Sequence, residues 1–479
     1  MASGVSRPLA RSLKARMFSA AAAQAESTSS VDREPRAYIK KLNNGLLVGT
    51  IETPSPVARL AVVANAGSRF ETGENLGISH VLRHTTQLRT ENMSSLGITR
   101  AAQQLGSDIT AEGTREYIYY KSNVTRNCAG KVVEILREIS TKHSFKPWEV
   151  DDLQADPDGL KLDLALLKTQ PQVRVVELLH SAAFRDTLGR SLYAPDFSIG
   201  KFNSEQLLHY AKSNFGVGRL ALVGVGIDSS ELEALGEQFE PYASTGAPAQ
   251  PAVYYGGEVR ENTGGELSYV AFALGGPKMF FKQPRKKSSP ETGDEPIDLN
   301  VGSKDLLPSE VLKYVLGVGP HVKYSSGSAT SELSKAVSKA VDVPHFVSAF
   351  TANYSDAGLF GFTAVAQSSQ IDKVARAGAD QLRSVLTSGI SDKDVERAKT
   401  QLKASICMQF ENPDVLLSWL GEQTLNSDQV LTPQEVYKMV DAVTTADVNN
   451  AAKKIASSKP TMAAAGNTVG VPYLDQLSK

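Results

Sequence analysis

Cysteine is scarce in this sequence: Cys128 and Cys407 are the two in 479 residues. Both stand among apolar neighbours, so two buried thiols are expected in place of a disulfide or metal set. A Cys-x-x-Cys-His haem motif is absent and an iron–sulfur cluster would lack ligands, so no cofactor is expected. An excess of one charge is also missing. The formal net charge is -1, which gives no support for nucleic acid or another polyanion as partner. No run reaches the ~18 uninterrupted apolar residues of a membrane-spanning helix. If the protein belongs to a membrane, other chains hold it there. From Met1 to Ala25 acidic residues are lacking, while Arg7, Arg11, Lys14 and Arg16 supply positive charge among Ser and Ala. Arg7, Arg11 and Lys14 share one side of a helix and Leu9 and Leu13 another. That pattern predicts a mitochondrial transit peptide over 1–18, cleaved after Phe18. A matrix location agrees with so few cysteines.

From residue 35 onward the chain is patterned by hydrophobic period. KKLNNGLLVGTIE places Asn44-Gly45 between two apolar runs and predicts a hairpin. VARLAVVANAG (57–67) reads as a strand, and GSRFETGEN after it as a turn. Next comes a helix, with Ile78, Val81, Leu82 and Leu88 toward the core and His80, Arg83, His84 and Gln87 on another face. ITRAAQQLG is a helix closed by Gly106, EYIYYKSNV a strand and CAGKVVEILREIS a helix. A long helical region spans about 147–186, and RLALVGVG (219–226) is a buried strand. The Pro- and Ala-rich stretch near 243–257 reads as a linker between units at 35–242 and 258–479.

Beyond the linker the same order returns. LSYVAFALGG is a strand, SEVLKYVLG a helix, SAFTANYSDAGLFGFTAVAQ a strand pair and KVARAGADQLRSVL a helix. ELLHSAAF near 180 matches SWLGEQTL near 421, and LALVG near 222 matches MAAAG near 464, an offset of roughly 240 residues, one large domain. The expected class is α+β, with two tandem homologous halves, each a mainly antiparallel sheet covered by helices. The charged, Pro- and Ser-rich segment 278–305 breaks the parallel and reads as an exposed insertion.

The chemistry-bearing stretch is ISHVLRHTTQL. His80 and His84 stand four apart, the spacing by which a helix offers two imidazoles to zinc. A peptidase of that kind needs a carboxylate just before the second histidine as general base. Arg83 stands there. Arginine, with a pKa above 12, accepts no proton at working pH, and its charge opposes a divalent cation.

Duplicated α+β halves, a GSRFE turn and a helical His-x-x-x-His resemble the pitrilysin and mitochondrial processing peptidase family. Active members carry His-x-x-Glu-His and a distal glutamate as third zinc ligand. The resemblance maps His80 and His84 onto the ligand histidines and Arg83 onto the base. It places Asp163 near the third ligand and Asp156 in place of an accessory glutamate. It implies a degenerate site (His80, Arg83, His84, Asp163) with no catalytic residue, no metal and no cofactor. FKPWEVDDL, YAPDFSIGKFNSEQL (193–207), VLGVGPHVKYSSGSATSELSKAV (315–337) and SAFTANYSDAGLFGF (348–362) are similar to the family's non-peptidase branch, the core subunits of the respiratory cytochrome bc1 complex (complex III). That likeness implies a scaffold on the matrix side of the inner membrane. The implied partners are core protein 1, cytochrome b, cytochrome c1, the Rieske iron–sulfur protein and small subunits, in a dimeric complex. Two other readings stand beside it. One is a presequence-binding α-type subunit of a processing peptidase, whose long Gly-rich loop corresponds here to the less glycine-rich GVGPHVKYSSGSA (317–329). The other is an autonomous zinc peptidase, which Arg83 opposes.

Overall fold

The computed structural model describes residues 37–156, 159–246, 248–279, 305–319, 331–427 and 430–477. The expected transit peptide 1–18, nearly all of the insertion 278–305 and most of the 317–329 stretch lie outside the described residues. In the first half the elements are β1 (Ala37–Lys41), β2 (Leu47–Ile51), β3 (Val57–Ala64), α1 (Ile78–His84), α2 (Ser95–Leu105), β4 (Asp108–Gly113) and β5 (Ile118–Thr125). They continue with α3 (Ala129–Thr141), α4 (Pro147–Ala155), α5 (Leu160–Thr169), α6 (Pro171–Phe184), α7 (Ser204–Asn214), β6 (Leu220–Val225) and α8 (Ser229–Gly236). The second half begins with β7 (Gly257–Asn262), β8 (Leu267–Gly276), α9 (Leu306–Leu316), α10 (Glu332–Ala340), β9 (Phe346–Asn353) and β10 (Gly358–Gln367). It ends with α11 (Ile371–Ser388), α12 (Asp392–Phe410), α13 (Pro413–Asn426), α14 (Pro433–Ala442), α15 (Thr445–Ala456), β11 (Thr461–Gly466) and α16 (Leu474–Leu477).

Each half holds one sheet. The orders are β1-β2-β6-β3-β5-β4 and β7-β11-β8-β10-β9. All neighbours pair antiparallel except β2 with β6 and β7 with β11, which are parallel. Those exceptions fall at the same place in the two sheets, so the duplication extends to topology. The strand closing each unit in sequence, β6 or β11, lies inside its sheet, and all six residues of each are buried.

Three local expectations change. The Asn44-Gly45 turn is wider than a two-residue hairpin, because Leu42 and Leu46 bond each other and Leu42 enters the core. The long helical region is three helices, since Gly159 precedes α5 and Pro171 cannot continue it. Strand β4 (DITAEG) carried no apolar run to announce it, being an edge strand with no fully buried residue. The two thiols also differ from expectation. Cys128 is half-buried and Cys407 exposed, because α12 runs to Phe410 beyond its buried stretch Val395, Ala398, Lys399 and Leu402.

The halves are interlocked by an exchange of helices. One face of the first sheet packs on its own helices through Leu60, Val62, Ile78, Leu82, Val132 and Leu136. Its other face packs on α13, from the second half, through Leu416, Leu417 and Leu420. Reciprocally, α6 from the first half lays Val175, Leu178, Leu179, Ala183 and Phe184 on the second sheet. Small residues permit the approach. The second sheet offers Ala271, Ala273, Ala463 and Ala465. In the first, a Cβ on Gly49 would overlap Thr424 Oγ1, and one on Gly421 would come 2.7 Å from Val63 Cγ2. Burial of three leucines at about 1.5–3 kcal/mol each makes α13 a principal stabiliser of a sheet it is remote from in sequence. The tenth residue of each exchanged helix, buried His180 and half-buried Glu422, is a polar group that meets a tyrosine of the other half. His180 gives its Nδ1–H to Val176 O, so its Nε2 accepts from Tyr354 at 2.8 Å. Glu422 accepts from Tyr119 at 2.9 Å.

Candidate functional site

Helix α1 has no side-chain cap of its own, and Gly77 before it sits at φ 91°. Glu71, at the end of the GSRFE turn, caps it from outside. Its carboxylate accepts from the Gly77 and Ser79 amides at 2.8 and 3.1 Å and from Ser79 Oγ at 2.6 Å. Negative charge at a helix N-terminus is favourable, yet burial dominates here and lifts this carboxyl from 4.5 to about 7. Arg69 of the same turn reaches the second half. It donates to Glu116 Oε1 at 2.7 Å, Ser355 Oγ at 3.0 Å and Gln250 O at 2.7 Å, and it pairs with Asp356. The motif therefore fixes one end of the histidine helix and joins it to the β9–β10 turn.

Apolar positions Ile78, Val81 and Leu82 bury one side of α1. His80 is also wholly buried, while Arg83 and His84 are half-buried. Gln87 lies beyond the helix, at the end of a single 3-10 turn, and Leu88 follows that turn. Asp163, on α5, meets both histidines: its Oδ2 lies 3.0 Å from His80 Nε2 and 3.0 Å from His84 Nε2. Asp156 ends α4 exposed and is not among the residues whose ligand atoms converge. The hydrogen bonds to His80 and His84 hold the Asp163 carboxyl down at about 2, and burial takes His80 down to about 4.

The ligand atoms of His80, His84 and Asp163 lie within 4.8 Å of one another. By distance alone they could surround a small cation. Protonation decides otherwise. The Ala194 amide donates to His80 Nδ1 at 3.1 Å, so Nδ1 carries the lone pair and the neutral ring keeps its proton on Nε2. Metal-ligating histidines show the reverse, with the far nitrogen donating and the near one free for the ion. The zinc that active members of the resembled family carry does not fit this donor set.

Arg83 sits at the base position and serves packing. Its Nη2 donates to Leu192 O, its guanidinium lies 5.8 Å from the Tyr193 ring centroid, and its stem covers Gly113 of β4. Residues 190–197 thus form a strap across α1. Glu177 of α6 holds that strap, accepting from Ser191 Oγ at 2.9 Å and the Leu192 amide at 3.1 Å. The arrangement can pass no proton from a metal-bound water to a leaving amine, because nothing at position 83 can accept one.

The second half places an equivalent helix in the same register. Ile78-Ser79-His80-Val81-Leu82-Arg83-His84 stands against Pro308-Ser309-Glu310-Val311-Leu312-Lys313-Tyr314 on α9. Ser, Val and Leu are identical and buried in both. Lys313 occupies the place of Arg83 and pairs with Glu310, at the place of His80. The sequence carries this signal in the shared register of Ser, Val and Leu, which the unlike residues between them obscure.

Residues 47–196 match the family model described as insulinase (peptidase family M16), and 201–402 match the one described as peptidase M16 inactive domain. The chain is 37% identical over 438 residues to human cytochrome b-c1 complex subunit 2, mitochondrial, covering 91% of each chain. The mouse protein of that name is 35% identical with the same coverage. A probable mitochondrial-processing peptidase subunit alpha-1 of Arabidopsis thaliana is 25% identical, over 92% of this chain and 84% of that one.

Proposed function

Since the chain belongs to peptidase family M16, we propose that it is a non-catalytic structural subunit of a mitochondrial cytochrome b-c1 complex, the counterpart of core protein 2. The observation that carries this is Arg83 in the place of the base, on a chain similar over nine-tenths of its length to subunit 2 of that complex. The processing-peptidase α-type reading has weaker support, from relatives at 25–26% identity.

In this reading function is surface. Trp148, Phe197 and Met408 are 60, 64 and 64% exposed, and Leu162 and Leu166 of α5 are 43 and 47% exposed, apolar area suited to subunit contacts. The partners are core protein 1, cytochrome b, cytochrome c1, the Rieske iron–sulfur protein and small subunits of a dimeric assembly. No described helix is long and apolar enough to cross a membrane. The chain is placed peripherally on the matrix side of the inner membrane, with residues 1–18 as its transit peptide. The test is the native assembly. Comigration of the chain with cytochromes b and c1 in detergent-solubilised mitochondria is expected. Recovery in a soluble heterodimer that cleaves presequences would overturn the proposal.

A further inference from the structure

We propose that His80, His84 and Asp163 form a hydrogen-bonded clasp that stands where a metal ion would, holding α5 and the 190–197 strap against α1. Asp163 Oδ2 receives both imidazole Nε2 groups at 3.0 Å, which draws α5 onto α1. On its far side His80 receives the Ala194 amide at 3.1 Å, which draws the strap onto the same helix. One buried ring therefore joins three segments, using each nitrogen once: Nδ1 accepts and Nε2–H donates. Tyr193 closes the cluster from the strap, its ring edge-on to His80 at 5.5 Å between centroids and under the Arg83 guanidinium. Gly77 is needed for that closeness, since a Cβ there would run into Ala194. Placing an ion among these groups requires His80 to give up the Ala194 amide, leaving a buried N–H unpaired. It also brings a dication beside Arg83. The clasp and the metal are mutually exclusive uses of the same atoms, and Ala194 and Arg83 select the clasp.

This inference concerns the chain itself and is independent of its assembly. Its test uses the purified full chain in two measurements. In the first, the unaltered protein is equilibrated with micromolar zinc, then metal per chain and the unfolding midpoint are measured. No stoichiometric zinc and an unchanged Tm are expected, whereas an ion bound at a hundredfold its Kd would raise Tm by roughly several degrees. One zinc per chain, abolished in a His80→Ala, His84→Ala double variant, would overturn the proposal. In the second, His84→Gln is compared with His84→Leu. Glutamine keeps an N–H donor near the Nε2 position but is a poor zinc ligand. His84→Gln should stay near the parent Tm, with His84→Leu lower by about 2–6 °C, the loss of a hydrogen bond to a charged acceptor. Equal midpoints for the two variants would refute the clasp.

Discussion

The clearest quantitative test of the interlocked fold is Arg69→Met. Methionine keeps the length and apolar stem of the side chain but removes every donor. Arg69 is 5% exposed and ties Glu116 of its own half to Ser355, Asp356 and Gln250 of the segments beyond. Burial pulls its pKa down, but hydrogen bonds and charge from Asp356 and Glu116 outweigh that and the net direction is upward. The guanidinium therefore stays charged in the folded chain. Breaking a buried pair generally costs about 3–5 kcal/mol because a charge is stranded. Here the stranded acids keep other donors: Glu116 retains the Ser355 amide at 3.0 Å and Asp356 the Ala252 amide at 2.8 Å. The Asp356 side chain also remains 28% exposed to water. The lower end, about 3 kcal/mol, is expected. A cycle with Asp356→Asn should give a coupling of about 1–2 kcal/mol, since these groups touch across the halves. The assay is urea denaturation followed by far-UV circular dichroism and tryptophan fluorescence. Of the two tryptophans, Trp148 is largely exposed, and Trp419 lies on exchanged helix α13 against Phe410. Fluorescence therefore reports the helix leaving the opposite sheet. Both probes should shift together in Arg69→Met. A cost below about 1 kcal/mol, or no coupling to Asp356→Asn, would refute the assignment of this network as the tie between halves.

The same geometry sets three further outcomes. Glu71 is raised from 4.5 to about 7 by burial, so the folded chain holds this proton more tightly than the unfolded one. Its contribution is full below the unfolded value and is lost as pH climbs through about 7, so the stability advantage over Glu71→Gln should shrink by up to about 3 kcal/mol between pH ~5 and ~8; an advantage that grows with pH refutes this. Arg83→Glu should gain no cleavage of presequence peptides with zinc supplied, because the His80 proton stays on Nε2 while the Ala194 amide holds Nδ1; measurable zinc-dependent turnover would show the strap to be less constraining. Gly49→Ala drives a methyl into Thr424 of α13 and should cost about 1–3 kcal/mol in denaturant midpoints, against near-neutrality if α13 can shift aside.

Much of this architecture is legible in the sequence because period 2 and period 3.6 are set by which side of an element is buried. The strands VARLAVVANAG and LSYVAFALGG and the helices CAGKVVEILREIS and KVARAGADQLRSVL all declared themselves that way. Periodicity says that a helix has an apolar side, but not whose sheet that side meets. The exchange of α6 and α13 was therefore invisible, although the alanines of MAAAG, all buried under α6 or the second core, are its local trace. The edge strand β4 escaped for the opposite reason, since an element with no buried side shows no apolar rhythm.

The site divides along the same line. That Arg83 cannot act as a base follows from its side chain alone. That His80 carries its proton on Nε2 depends on the Ala194 amide, and that Arg83 is held by Leu192 depends on a carbonyl, both in a strap more than a hundred residues away. One stronger inference was available from sequence by comparing the halves with each other. ISHVLRH and PSEVLKY place a cation at the same turn of equivalent helices. In each the helix packs beside an edge strand, β4 or β9, and the cation finds a local acceptor, Leu192 O for Arg83 and Glu310 for Lys313. The second half has no histidine at either matching position, so a cation there serves packing with no zinc site to disable. The same physical account holds for Arg83: in both halves the cation at this turn secures the helix beside its edge strand, and in the first half a residue doing that cannot also be a base.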